Sequence, residues 1–253
     1  MLPANTAKLA DLRRQIEGIE RVHARARTAL PFHVPEIDAK LPGGGLALGA
    51  LHEVAGGAAG AVDGAAAAAF VAGVAARTGG KVLWCHTTSD LFPPALQQSG
   101  LADDQVFFFK PRDEVSLLKG FEEALRHGGL TAVVGELSGL TTVDSQRLQL
   151  AAEQKGTMAI ALRRWRKAVD AREFGLPTAA FTRWRVTELN SRKLPVRGVG
   201  TGRWMLELMR CRGGQENTDF EVDACNGKGF IRLSAEVADR AAEAQPWKRR
   251  AVG

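Results

Sequence analysis

The sequence predicts an α/β protein. Its expected form is three layers, with a mostly parallel central sheet and antiparallel strands extending the sheet in the second half. Two observations carry that expectation. Between residues 50 and 162, short apolar runs of strand length alternate with helix-length amphipathic stretches. That order builds parallel strands joined by crossover helices on both faces. After residue 180, four further strand-like runs follow, with glycine-rich turns and no helical pattern between them, as antiparallel hairpins require.

The elements follow in chain order. Residues 7–27 read as an amphipathic helix, because Leu9, Leu12, Ile16 and Ile19 recur at helical spacing with charges between them. This helix precedes the main domain and ends before Pro31 and Pro35. A glycine-rich turn at 41–49 leads to a short apolar strand at 50–54, and a second glycine turn spans 56–64. A helix then starts near Asp63, a good N-cap residue, and stops at Gly79 and Gly80. Strands are expected at 81–85, 106–109, 130–134 and 157–162. Helices are expected at 93–99, 114–126 and 143–153, the middle one burying Leu117, Leu118, Phe121 and Leu125. The second half supplies strands at 180–189, 203–212, 218–223 and 229–233. The domain reading is an N-terminal helix (1–30), a core (31–235) and a basic tail (236–253).

A chain of 253 residues with 45% hydrophobic content is long enough for one large core. No apolar run reaches membrane-spanning length, and Lys8, Asp11, Arg13 and Arg14 interrupt any signal-peptide pattern. The expectation is a cytoplasmic protein that does not engage a membrane. Cys85, Cys211 and Cys225 are far apart and odd in number. They predict reduced thiols, with neither a disulfide framework nor a metal site. Charge is uneven. Residues 162–212 hold 13 of the chain's 34 Lys and Arg but 4 of its 28 Asp and Glu, which leaves the remainder slightly acidic. Such a block suits a polyanion such as nucleic acid, or an acidic protein surface.

A strand, a glycine turn and a helix form the setting of a phosphate-binding loop, G-x-x-x-x-G-K-[ST]. With Gly56 as the first glycine, the loop runs through Gly57 and Gly60 to Ala61, Val62 and Asp63. Val62 stands where lysine contacts the β- and γ-phosphates, and Asp63 stands where a hydroxyl holds magnesium. No Lys or Arg occurs between Lys40 and Arg77, so no shift of register restores the motif. Losing that charge-assisted contact costs on the order of several kcal/mol of phosphate binding. The strand at 130–134 is followed by Gly135 where a magnesium-associated acid belongs, and Glu136 reads as an acid facing solvent at the strand end. His86 reads as structural, because no Ser or Cys is arranged beside it. The expectation is a vestigial loop without cofactor or catalysis.

The order of these motifs resembles RecA-type recombinases. The stretch 37–53, IDAKLPGGGLALGALHE, is similar to the lead-in to their phosphate loop. The stretch 203–214, RWMLELMRCRGG, with 220–230 after it, is similar to the strand pair that closes their core. More narrowly, RecA-like order, a degenerate loop, short length and the LMRCRGG strand resemble the ImuA family of bacterial SOS mutagenesis cassettes. The resemblance covers roughly residues 30–235. It implies a non-catalytic accessory protein of damage-induced translesion synthesis. The implied partners are an ImuB-like polymerase relative and an error-prone replicative-type polymerase, with RecA and single-stranded DNA as further candidates.

In RecA-like folds a DNA-contacting loop follows the strand that here ends at Leu162. Its residues are Arg163, Arg164, Trp165, Arg166, Lys167 and Arg172, with Arg183 and Arg185 extending the block. Cations there neutralise phosphates, and an indole stacks on an unpaired base. Leu9, Leu12, Ile16 and Ile19 are candidate partner contacts, as is Trp247 in the tail. Two other readings stay open. One is a SulA-type inhibitor of cell division that binds FtsZ. The other is an atypical ATPase that takes a cation from Lys81 or a neighbouring protomer.

Overall fold

The structure, a computed structural model, describes residues 28–57, 61–164, 174–191, 198 and 200–234. The amphipathic helix at 7–27 and the tail with Trp247 lie outside the described residues. So do Gly60, Trp165, Arg166, Lys167 and Arg172.

Eleven strands are described. A two-stranded antiparallel ribbon, β1 (Ala29–Leu30) with β2 (Leu46–Ala47), opens the chain. The other nine form one sheet: β3 (Leu51–Gly56), β4 (Val82–Cys85), β5 (Val106–Phe109), β6 (Ala132–Leu137), β7 (Met158–Arg163), β8 (Thr182–Leu189), β9 (Arg203–Cys211), β10 (Thr218–Asp223) and β11 (Arg232–Leu233). Their spatial order is β11-β10-β9-β8-β3-β7-β6-β4-β5. The block β8-β3-β7-β6-β4-β5 is parallel, and the pairs β8–β9, β9–β10 and β10–β11 are antiparallel. This is the expected sheet.

Every residue of β3, β6 and β7 is buried, as befits central strands covered on both faces. The helices are α1 (Pro35–Asp38), α2 (Ala61–Ala76), α3 (Pro93–Gln98), α4 (Glu114–His127) and α5 (Thr142–Lys155). Phe70, Val71 and Val74 of α2 pack on one face with Trp84, Trp184, Leu206 and Trp204. Alanine repeats in α2 give it a low profile, which lets it sit close against the strands. On the other face, Leu117, Phe121 and Leu125 of α4 and Leu148 of α5 cover Val133, Leu137 and Ala159. The Asp113 carboxylate caps α4 through Ser116 N (2.7 Å), and Gly128 ends it at φ 76°. Glu122 of α4 bridges Arg126 (2.6 Å) and Arg147 of α5 (2.5 Å), joining the two helices.

Three expectations need correction. Asp63 is not the N-cap of α2: it lies inside the first turn, and its carboxylate reaches across to β8. The strand read as 130–134 runs through Leu137 as β6, so Gly135 and Glu136 lie within it. Gly135 is there because a side chain would meet the Phe121 ring at 2.5 Å, a packing need rather than a turn. Glu136 does not face solvent; it is buried.

Candidate functional site

The carboxyl ends of β3, β4, β6 and β7 converge on one edge of the sheet, where open α/β folds place their ligands. The degenerate loop leaves β3 at this edge and enters α2. Gly56 turns so tightly that a Cβ would meet the Asp63 backbone at 2.8 Å, and a Cβ at Gly57 would collide with Thr187 of β8. Gly57 therefore lies against β8. Gly57 N donates to Val186 O (2.9 Å), so an amide that would cradle a phosphate is already used. Asp63 Oδ1 accepts from Glu188 N (2.9 Å). A carboxylate thus occupies the first turn of α2, where the helix dipole attracts anions. Val62 is 60% exposed and offers no cation.

The neighbouring acid is committed as well. Glu136 Oε1 accepts from Trp84 Nε1 (2.8 Å), and its Oε2 pairs with Arg164 (2.9 Å). Arg164 also reaches Asp90 at 2.9 Å. The acid next to the position that would serve magnesium in an ATPase is thus neutralised from within the chain. His86 is nearly buried, its Nδ1 beside Thr88 O at 2.5 Å and its ring edge-on to Phe108. Among the described residues, no group of three or more His, Cys, Asp or Glu is placed to hold a metal. Burial pushes the thiols of Cys85, Cys211 and Cys225 up to about 12, which disfavours thiolate chemistry.

The basic residues divide sharply. Arg163 and Arg183 were expected to face nucleic acid; instead they are buried against Glu53, which has 0% side-chain exposure. Glu53 Oε2 takes Arg163 at 3.4 Å, and Oε1 takes Arg183 at 3.2 Å together with the Thr178 hydroxyl. Arg163 also donates to Ser138 O (2.9 Å) and Arg183 to Leu176 O (2.7 Å). The Arg183 guanidinium lies 5.4 Å over the Phe174 ring. In this arrangement the two arginines are structural. They tie down the residues that enter and leave the segment 165–173. Arg164 keeps 23% side-chain exposure, and Arg185, 34% exposed, pairs with Glu207 at 3.5 Å.

Sequence reasoning missed Glu53 as the hub of this cluster. The available signal was an acidic residue, beside His52, inside a central strand. It also missed the exposed phenylalanines of β5.

No family model matches the chain. Two curated proteins do, both called Protein ImuA, from Caulobacter vibrioides strains NA1000 / CB15N and ATCC 19089 / CIP 103742 / CB 15. Each is 36% identical over 233 residues, covering 86% of this chain and 95% of the relative. Among solved structures, the RadB recombinase superposes with a TM-score of 0.55 at 17% identity, over 81% of this chain and 100% of that one. That match establishes a RecA-like fold. With the curated relatives spanned almost end to end, the chain belongs to the ImuA family.

Proposed function

We propose that the protein is a non-catalytic accessory factor of SOS translesion synthesis, a RecA-like scaffold that works through protein partners and single-stranded DNA. Family membership supports the broad role in the DNA-damage response. The observation that carries the non-catalytic reading is the filled phosphate site. Gly57 N is spent on Val186, the Asp63 carboxylate sits at the start of α2, and Arg164 neutralises Glu136. A triphosphate would meet a carboxylate and no lysine. Calorimetry of the full chain with ATP and magnesium tests this. No saturable heat is expected, and micromolar binding would overturn the reading.

The segment 165–173 is the proposed DNA contact, since Arg166, Lys167 and Arg172 surround Trp165 in sequence and the Glu53 cluster anchors described residues on either side of it, Arg163 and Arg183. Reversing Arg166, Lys167 and Arg172 to glutamate is expected to weaken single-strand binding in fluorescence anisotropy. It is also expected to flatten its dependence on salt. An unchanged salt slope would assign the segment to a protein partner instead. An ImuB-like polymerase relative, an error-prone replicative-type polymerase and RecA are the partners proposed, and affinity capture of the tagged full chain from damaged cells tests them.

A further inference from the structure

The outer edge of β5 combines features that natural sheets avoid. β5 is the end strand, with β4 as its sheet neighbour among the described residues. Phe107, Phe108 and Phe109 are exposed by 55%, 43% and 37%. No lysine, proline or bulge interrupts the strand, the usual ways of blunting an edge. Carbonyls of Gln105 and Phe109 accept from Val82 N (2.8 Å) and His86 N (3.0 Å). Alternation along the ladder then turns the amides and carbonyls of Val106 and Phe108 outward. The ends of the strand carry opposite charges, with exposed Asp104 before it and exposed Lys110 after it.

We infer that β5 pairs antiparallel with β5 of a second copy of this chain, about a two-fold axis through Phe107. In that register Val106 and Phe108 exchange both backbone hydrogen bonds with Phe108 and Val106 of the second copy. Phe107 faces its own counterpart in a non-hydrogen-bonded pair, the closer spacing, where aromatic side chains interact across strands. Asp104 falls opposite Lys110 of the second copy, and the symmetry makes that contact twice. A parallel arrangement would set like charge against like. The charge pattern is therefore self-complementary in the antiparallel sense, and this singles out a second copy over an unrelated strand. The hydroxyl of Ser89 accepts from Lys110 Nζ within one chain, an exposed contact that a new carboxylate competes with easily. On either side of the new ribbon, Phe109 lies against Gly120 of α4 and Phe108 against His86.

Analytical ultracentrifugation of the full chain over a concentration series tests the pairing. The wild type is expected to form dimers. D104K and K110D should each weaken dimerisation at least tenfold. The double variant D104K/K110D should restore it, as should an equimolar mixture of the two single variants, because both recreate opposite charges. F107C should form an intermolecular disulfide on oxidation, since its paired Cα atoms would stand about 4.5 Å apart, within disulfide range. A monomer at every concentration up to 100-fold above that of the lowest sample would overturn the inference. So would an oligomer indifferent to both charge reversals, which would point to the N-terminal segment of a neighbour or to a different surface. Circular dichroism of each variant separates loss of pairing from loss of fold.

Discussion

Replacing Glu53 by glutamine removes the negative charge between two guanidinium groups whose side chains are 0% and 7% exposed. Breaking a buried ion pair by deleting one partner costs about 3–5 kcal/mol, because the survivor is left charged in a dry place. Both arginines keep carbonyl partners, Ser138 O at 2.9 Å and Leu176 O at 2.7 Å. Those contacts pull the expectation to the low end of the range, about 3 kcal/mol. For a domain of this size that corresponds to a fall in Tm of roughly 6–12 °C. Urea denaturation followed by circular dichroism measures the free energy directly. The deficit should be the same at low and at high salt, because water and ions do not reach the cluster. A loss under about 1 kcal/mol, or one that disappears in concentrated salt, would show that the cluster is solvated and would refute the argument.

Three other outcomes are expected. V62K restores the missing lysine but leaves Asp63 and the Gly57 amide bound to β8, so calorimetry should still detect no ATP binding; saturable binding would show that the lysine alone was lacking. R164M strips Glu136 of its cation while Trp84 remains, and because Arg164 is partly exposed the loss in urea denaturation should be about 1–2 kcal/mol; an unchanged midpoint would mean that the pair contributes nothing. The buried thiols have folded values of about 12 against an ordinary 9.0, so the unfolded chain releases their protons first. Their contribution to stability should be full below pH 9 and lost progressively toward pH 12. Replacing Cys85, Cys211 and Cys225 by alanine should make the alkaline decline shallower, and an identical decline would count against the assignment.

Much of the fold was legible because its signals are local. The strand Val106–Phe109 announces itself as a short apolar run, and the helix at Glu114 through the helical spacing of its apolar residues. The failures share a different cause. Gly135 looks like a terminator in one dimension, yet it is a concession to the Phe121 ring arriving from α4. Glu136 and Asp63 look like solvent-facing or capping acids because their partners, Arg164 and the backbone of Glu188, lie far along the chain. A count of charges in 162–212 cannot tell an arginine in water from one buried against Glu53. That distinction requires knowing that β3 lies between β7 and β8. The vestigial loop was legible as a loss of residues, but the contacts that now fill it were not.

The central position of β3 has a consequence for how the chain acquires its structure. Its side-chain partners on the flanking strands lie 110 and 130 residues away, at Arg163 and Thr182. No local contact can substitute for them, so the middle of the sheet closes late and the search that precedes it is slow. A chain that stops before residue 182 leaves β3 with an open edge in the middle of its own core. One that stops after residue 189 lacks the β9–β11 hairpins but completes the parallel block. Tolerance to truncation should therefore change abruptly across β8, and premature stops upstream of it should yield aggregation-prone fragments rather than smaller folded proteins.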